Sequence, residues 1–354
     1  MDIQGIFLDT NVFEGAKFTY EDNKLSKLLE LCEEENIPVY IDSTVYQEVQ
    51  KRIRTNAEES CKGLNNKNLP FISRVSNLPE KKDIIQKQIE ETLTTEFLGL
   101  IEEGRLNIIS KDISHEELLE MYFGEKAPFN VDNKKSEFPD AIIGLTLKEY
   151  INSEGEHILM ISNDNGMEDF CKSHKIEHVT MVSAALDILN KQFSVNTFYD
   201  KQQSKIISEV EKYITSHEIG FEIYSYGIED YIYTSDYNIT SANVQNIYLV
   251  RGDDDYQSLD VTCKVEIEFD ITTERYPDYE FAIRDSEDDA WYTFGEKQTR
   301  FLHKEVLELD FQVEILDRAN GIFTVTYVGK DIDIIFDAYF QGDKIISEEH
   351  FNDE

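Results

Sequence analysis

The sequence predicts two folds in one chain: an α/β sandwich with a mostly parallel sheet over residues 1–195, and an acidic, antiparallel β-rich domain over residues 196–354. Three observations predict this. Short apolar runs alternate with helical patterns in the first part. Alternation of apolar and polar residues over strand-length stretches dominates the second. The length, 354 residues, suits two domains, and 40% hydrophobic residues can fill sizeable cores.

The first part reads as strand and helix in turn. IQGIFLD (3–9) is an apolar run ending in a carboxylate. Leu25, Leu28, Leu29 and Cys32 keep a helical period between residues 23 and 35. PVYIDS (38–43) reads as a second buried strand, and TVYQEVQKRI (44–53) as a helix capped by Ser43 or Thr44. A helical insertion follows over about 54–135, with RLNIIS (105–110) as a third strand inside it. Phe138 to Tyr150 is helical, HILMISN (157–163) is a fourth strand, and VTMVS (179–183) a fifth before a closing helix.

After residue 196 one helix is expected around Ile206, Ile207, Val210, Tyr213 and Ile214. FEIYSYG, YIYTSD, NIYLVRG, LDVTCKVEIEFDIT, YEFAIRD, LELDFQVEILD, IFTVTYVG and DIIFDAYF then read as strands, divided by turn clusters such as RGDDD. Sandwich and open barrel both fit this pattern.

Composition excludes several classes of function. No apolar run approaches the ~18 residues of a membrane span. The N-terminus, MDIQGIFLDTNVF, lacks the basic and apolar regions of a signal peptide. The four cysteines, Cys32, Cys61, Cys171 and Cys263, form no C-x-x-C pair and no zinc spacing with histidine. They read as free thiols in a reducing cytoplasm.

The formal net charge of -38 is the unusual feature, because such a chain repels nucleic acid unless cations are locally concentrated. Residues 200–354 hold 36 acidic and 13 basic side chains, a net of -23. Residues 51–90 run the other way, with nine basic against five acidic. That window offers phosphate contacts at Lys51, Arg52 and Arg54, and Lys134 and Lys135 offer more ahead of Asp140. Phe71 and Phe129 are candidates for stacking on bases or for the core. The acidic second domain is expected to bind a protein partner, self-associate, or compete with substrate for the basic segment.

Four acids fall at equivalent places. Asp9 ends the first strand, Glu48 lies in the early turns of the helix after the second, Asp140 opens the helix FPDAIIGLTLKEY, and Asp164 follows the fourth strand. In a parallel sheet all four places lie near the carboxyl-terminal edge, where ligands bind. They can therefore converge although they span 155 positions. Gathered carboxylates repel, and hard divalent cations such as Mg²⁺ or Mn²⁺ supply a reason for them to meet. Singly, each acid is also explained as a turn former, a solvated helix residue or a helix-terminal charge.

Taken in order, FLDTNVF, the Glu of YQEVQ, FPDAIIG and ISNDNGMEDF resemble the four-acid pattern of PIN-domain nucleases over roughly residues 3–185. The resemblance implies a three-layer α/β/α sandwich in which Asp9, Glu48, Asp140 and Asp164 hold Mg²⁺ or Mn²⁺. It assigns Thr10, Asn11 and Ser162 as polar supports, with Asp169 and Glu137 as outer acids. It implies endonucleolytic hydrolysis of phosphodiester bonds, RNA ahead of DNA, leaving 5′-phosphate and 3′-hydroxyl ends, in a toxin or phage-defence setting. Two alternatives stand beside it. One is a catalytically silent PIN-like interaction protein. The other is a haloacid-dehalogenase-like phosphatase, against which Asn11 occupies the place of that family's second Asp.

Overall fold

The computed structural model describes residues 2–64, 69, 79, 81–129, 137–193, 197–216, 219–225, 232–252, 257–275, 283–284, 291–292, 296–330, 332–336 and 344–351. The chain divides into two compact units, Met1–Ser194 and Val195–Glu354.

In the first unit the described elements are β1 (Gly5–Leu8), α1 (Thr10–Gly15), α2 (Lys24–Glu34), β2 (Val39–Asp42), α3 (Ser43–Ser60), α4 (Lys82–Glu102), β3 (Asn107–Ile109), α5 (His115–Phe123), α6 (Phe138–Glu154), β4 (Ile158–Ile161), α7 (Asn165–His174), β5 (Glu177–Val179) and α8 (Val182–Phe193). The sheet order is β3-β2-β1-β4-β5, and every pairing is parallel. GIFL, VYID and ILMI are buried at every position, as expected of parallel strands covered on both faces by helices. The strand order reverses between β1 and β4, and in sheets of this kind the ligand crevice lies beyond the carboxyl ends of the strands at that point.

Carboxylates set several element boundaries. Asp9 and Asp164 are the N-caps of α1 and α7. Asp42, and not Ser43 or Thr44, caps α3: its Oδ1 accepts from the Val45 N–H at 2.8 Å. A short side chain at a strand end that accepts an amide proton stops the strand and starts the helix within one residue. The fifth strand also differs from expectation. It lies at Glu177–Val179, and Val182 already opens α8.

The second unit is built on α9 (Thr197–Thr215) and strands β6 (Phe221–Ser225), β7 (Ile232–Arg251), β8 (Ser258–Arg275), β9 (Ile283–Arg284), β10 (Trp291–Tyr292), β11 (Glu296–Asp317), β12 (Ile322–Tyr327), β13 (Ile332–Phe336) and β14 (Lys344–Phe351). Its main sheet is antiparallel in the order β12-β11-β8-β7, with β14 also paired to β11. Val261, Cys263, Val265, Ile267 and Phe269 alternate into a core with Leu309, Phe311 and Val313. Ile206, Val210 and Ile214 of α9 join that core.

Two features depart from the expected pattern. Residues 232–236 of YIYTSD and 246–251 of NIYLVRG belong to one strand, β7, which stays paired with β8 through four register shifts. Each bulge resets the inside–outside alternation, so one strand reads as two. β6 and β13 pair in parallel, not antiparallel. They lie far apart in sequence, and parallel pairing needs only a long connection.

Candidate active site

Asp9 follows β1 directly and is buried. Its Oδ1 accepts from the Thr10 N–H at 2.7 Å. Its Oδ2 accepts from Ser162 Oγ at 2.5 Å and from Asn11 Nδ2 at 2.6 Å. Ser162, fully buried at the end of β4, also accepts from Asn11 Nδ2 and from the Asp164 N–H, both at 3.1 Å. One hydroxyl thus ties the ends of β1 and β4 together. Thr10 Oγ1 donates to Glu48 Oε2 at 2.8 Å, which ties α1 to α3.

Asp164 caps α7 through Oδ1, accepting from the Met167 N–H at 2.8 Å. Asp140 lies in the first turn of α6. One turn later, Gly144 lets α6 and α7 approach: a β-carbon there would sit 2.8 Å from the Phe170 ring. Asp9, Asp140 and Asp164 therefore sit at helix N-termini, where the macrodipole favours negative charge.

That favour does not offset their crowding. Burial pushes the Asp9 carboxyl up to about 6, with Glu48 and Asp164 adding repulsion and the Ser162 and Thr10 bonds opposing it. Asp140 is pushed up to about 8, by burial first and then by Asp9, Asp164, Glu137 and Glu48. With no cation bound, both shifts favour the protonated carboxyl. Among the described residues none of the four acids has an ion-pair partner.

Thr10, Asn11, Ser162 and Glu137 thus stand in or against the acidic group. Asp169 does not. It is exposed on α7, with Lys172 Nζ 4.0 Å away, and takes no part in the network. The expected cations are mixed. Lys51 and Arg52 follow Glu48 by three and four positions on α3, on its side of the helix. Arg52 pairs with Glu14 at 3.4 Å and Arg54 with Glu90 at 3.2 Å, all at exposed positions or the margin of exposure. Lys134, Lys135 and Phe71 lie outside the described residues. Phe129 is buried core.

One acid was missed. Asp42, buried at the end of β2, is raised above the usual carboxylate range by burial, with Glu48 adding to it and bonds to Val45 and Thr44 opposing it. Its signal in the sequence was the same as that of Asp9, an apolar run closing on Asp.

The donor set fits a hard divalent cation in kind. It is all oxygen, it carries excess negative charge, and burial together with mutual repulsion favours protons on Asp9 and Asp140 that a cation would displace. It is not a closed coordination shell: among the described residues no group of three or more His, Cys, Asp and Glu is arranged to hold an ion. Among the described residues no helix is long and apolar enough to cross a membrane.

The family model described as "PIN domain" matches residues 6–167. No curated protein and no solved structure matches the chain. The matched span runs from β1 into α7 and takes in Asp9, Glu48, Asp140 and Asp164. A five-stranded parallel sheet flanked by helices is the architecture that goes with it. Over residues 6–167 the first unit is a PIN-like domain, a family whose members are generally nucleases, and a separate β-rich unit follows it in the chain.

Proposed function

We propose that the protein is a metal-dependent endonuclease acting on RNA ahead of DNA, with Asp9, Glu48, Asp140 and Asp164 holding Mg²⁺ or Mn²⁺. The observation that carries this is the gathering of Asp9, Glu48 and Asp164 around Asp140, whose carboxyl is pushed up to about 8 by burial first and then by the charge of Asp9, Asp164, Glu137 and Glu48. Among the described residues no cationic side chain joins the four acids, and such a site is destabilising unless a metal ion joins it. When bound, the metal would activate water and stabilise the leaving oxygen of a phosphodiester.

The chain's own groups do the positioning. Ser162 and Asn11 fix the direction of Asp9 by donating to one oxygen, and the Ser162 bond works against the rise that burial imposes. Thr10 holds Glu48 against the same crevice. Lys51, beside Glu48 on α3, is placed to meet a phosphate, while Arg52 must first leave Glu14. The second unit, at a net -23 over residues 200–354, is poorly suited to nucleic acid and is assigned here to protein contact or self-association.

Labelled RNA and DNA, single-stranded and duplex, incubated with full-length protein in Mn²⁺, Mg²⁺ or EDTA test the proposal. Cleavage is expected with metal, absent in EDTA, and reduced at least about 10³-fold by Asp140→Asn. The catalytically silent alternative draws on one observation, the lack of a ready-made metal cluster among the described residues. It predicts no metal-stimulated cleavage of any substrate. The phosphatase alternative loses ground to the family match, and with Asn11 bonded to Asp9 no second acid stands two residues on.

A further inference from the structure

A cleft of about 280 Å³ lies in the first unit, at the end of the sheet remote from the acids. There α2 leads into β2 and α4 into β3. The cleft therefore adjoins the amino ends of these strands, whereas Asp9 and Asp164 follow carboxyl ends. Its floor is apolar: Leu29, Cys32, Ile37 and Val39 line it and are buried. Its walls are held by the backbone. The Ile37 N–H donates to Cys32 O at 2.7 Å, the Leu106 N–H to Leu100 O at 3.0 Å, and Asn107 Nδ2 to Val39 O at 3.2 Å. Asn36 and Gly104 turn the chain at the rim with φ of 56° and 75°, left-handed values that suit Asn and Gly. Small-molecule sites are preformed apolar hollows of this kind with a few convergent polar groups.

The charged groups at this rim are of both signs. Arg105 lines the cleft with its side chain only 21% exposed. Its Nε is buried, and among the described residues that atom has no hydrogen-bond partner. Glu33 Oε2, at 3.6 Å, is an ion-pair neighbour beyond hydrogen-bond reach. A guanidinium carries five N–H donors in a fixed fork, and one so far withdrawn from water calls for a planar oxyanion. Glu33 and Glu103, both exposed, also line the cleft. They repel a multiply charged anion and attract an ammonium group. The volume lies at the lower limit of small-molecule sites, which restricts the occupant to few heavy atoms.

We propose that this cleft binds a free α-amino acid with an apolar side chain. The carboxylate meets the Arg105 guanidinium, the ammonium faces Glu33 and Glu103, and the side chain lies on the apolar floor. One cation, two anions and a hydrophobic base match a zwitterion with an apolar arm, and no single-charged ligand uses all three. The site stands apart from the acids and does not depend on the nuclease reading.

The test is calorimetric titration of full-length protein with leucine, valine, methionine and phenylalanine. Beside them run 4-methylpentanoate, which is leucine without its ammonium, 3-methylbutylamine, which is leucine without its carboxylate, and inorganic phosphate. At least one amino acid should give saturable heat, with the two leucine analogues at least about 10-fold weaker than leucine and phosphate giving none. Arg105→Gln should weaken amino-acid binding about 10- to 100-fold, the loss of a charge-assisted bond. Glu103→Gln should weaken leucine but not 4-methylpentanoate. Melting curves check folding, and if Arg105→Gln does not fold, the analogue series on wild type decides alone. No heat with any of the four amino acids overturns the proposal, as does undiminished binding by folded Arg105→Gln. Binding of 4-methylpentanoate or phosphate as tight as that of leucine also overturns it and makes the cleft a general anion site. Metal-dependent cleavage of nucleic acid bears on the nuclease reading alone.

Discussion

Residues 1–199 and 200–354 each hold 36 acidic side chains, yet the two regions place them in opposite ways. In the first unit Asp9, Glu48, Asp140 and Asp164 come from separate elements to one sheet edge, and no described cation meets them. In the second, acids on the face of the sheet turned from the core strands' apolar side meet partners across the strands. Arg300 bonds Asp270 through two nitrogens. Lys304 reaches Glu268 at 3.1 Å and Glu266 at 3.6 Å, and Thr262 donates to Asp310 at 2.6 Å. Net charge of the whole chain is thus a poor guide to chemistry. The informative acids are those that burial and topology leave unpaired.

The comparison can be broken from either side. The largest effect on stability belongs to the second unit's core, where the acids play no part. Phe311→Ala should cost about 3–5 kcal/mol in a denaturant titration, since Phe311 is fully buried against Tyr213 and Tyr327. A cost below about 1 kcal/mol would mean that the packed face does not hold this unit together.

The next effect belongs to the hydroxyl shared by β1 and β4. Ser162→Ala leaves Asp9 and Asn11 without their common partner, and it should reduce metal-dependent cleavage by about 10–100-fold. Cleavage unchanged by Ser162→Ala would show that Asp9 does not need this bond to hold its direction.

A subtler effect appears in pH dependence. The folded state holds a proton on Asp140 up to about 8, whereas the unfolded chain loses it near 3.8. The associated stability is full below the unfolded value and is lost as pH rises through the folded one. Melting temperature in EDTA should therefore fall as pH rises from about 4 to about 8, with Asp9, at about 6, contributing to the lower part of that window. Asp140→Asn should flatten the fall, and an equal slope in both proteins would show that Asp140 carries no such proton. The smallest effect is expected at the second unit's surface. Lys304→Ala should leave the denaturation midpoint essentially unchanged, at high salt above all, because its ion pairs are exposed.

Much of the first unit was legible because its chemistry sits where elements change. Asp9 and Asp164 close apolar runs, Asp140 follows a proline at a helix start, and Glu48 opens a helix after a strand, so order and spacing place them together. Asp42 had the same signature and was read as ordinary strand end, because Ser43 and Thr44 next to it are good caps too. The cleft beside Arg105 was not legible. It depends on the ends of α2 and α4 meeting at the starts of β2 and β3, which no local period encodes. In the second unit, period-two alternation revealed the strands, but bulges in β7 broke their phase and hid one strand as two.

The central claim is tested most directly by calorimetric titration of Mn²⁺ into full-length protein in three forms: wild type, Asp9→Asn/Asp140→Asn, and Glu266→Gln/Glu308→Gln. The wild type and the sheet-face variant should give the same saturable heat, and the crevice variant should give none. Saturable heat that survives in the crevice variant, or that vanishes when only the second unit's surface acids are changed, would contradict the account.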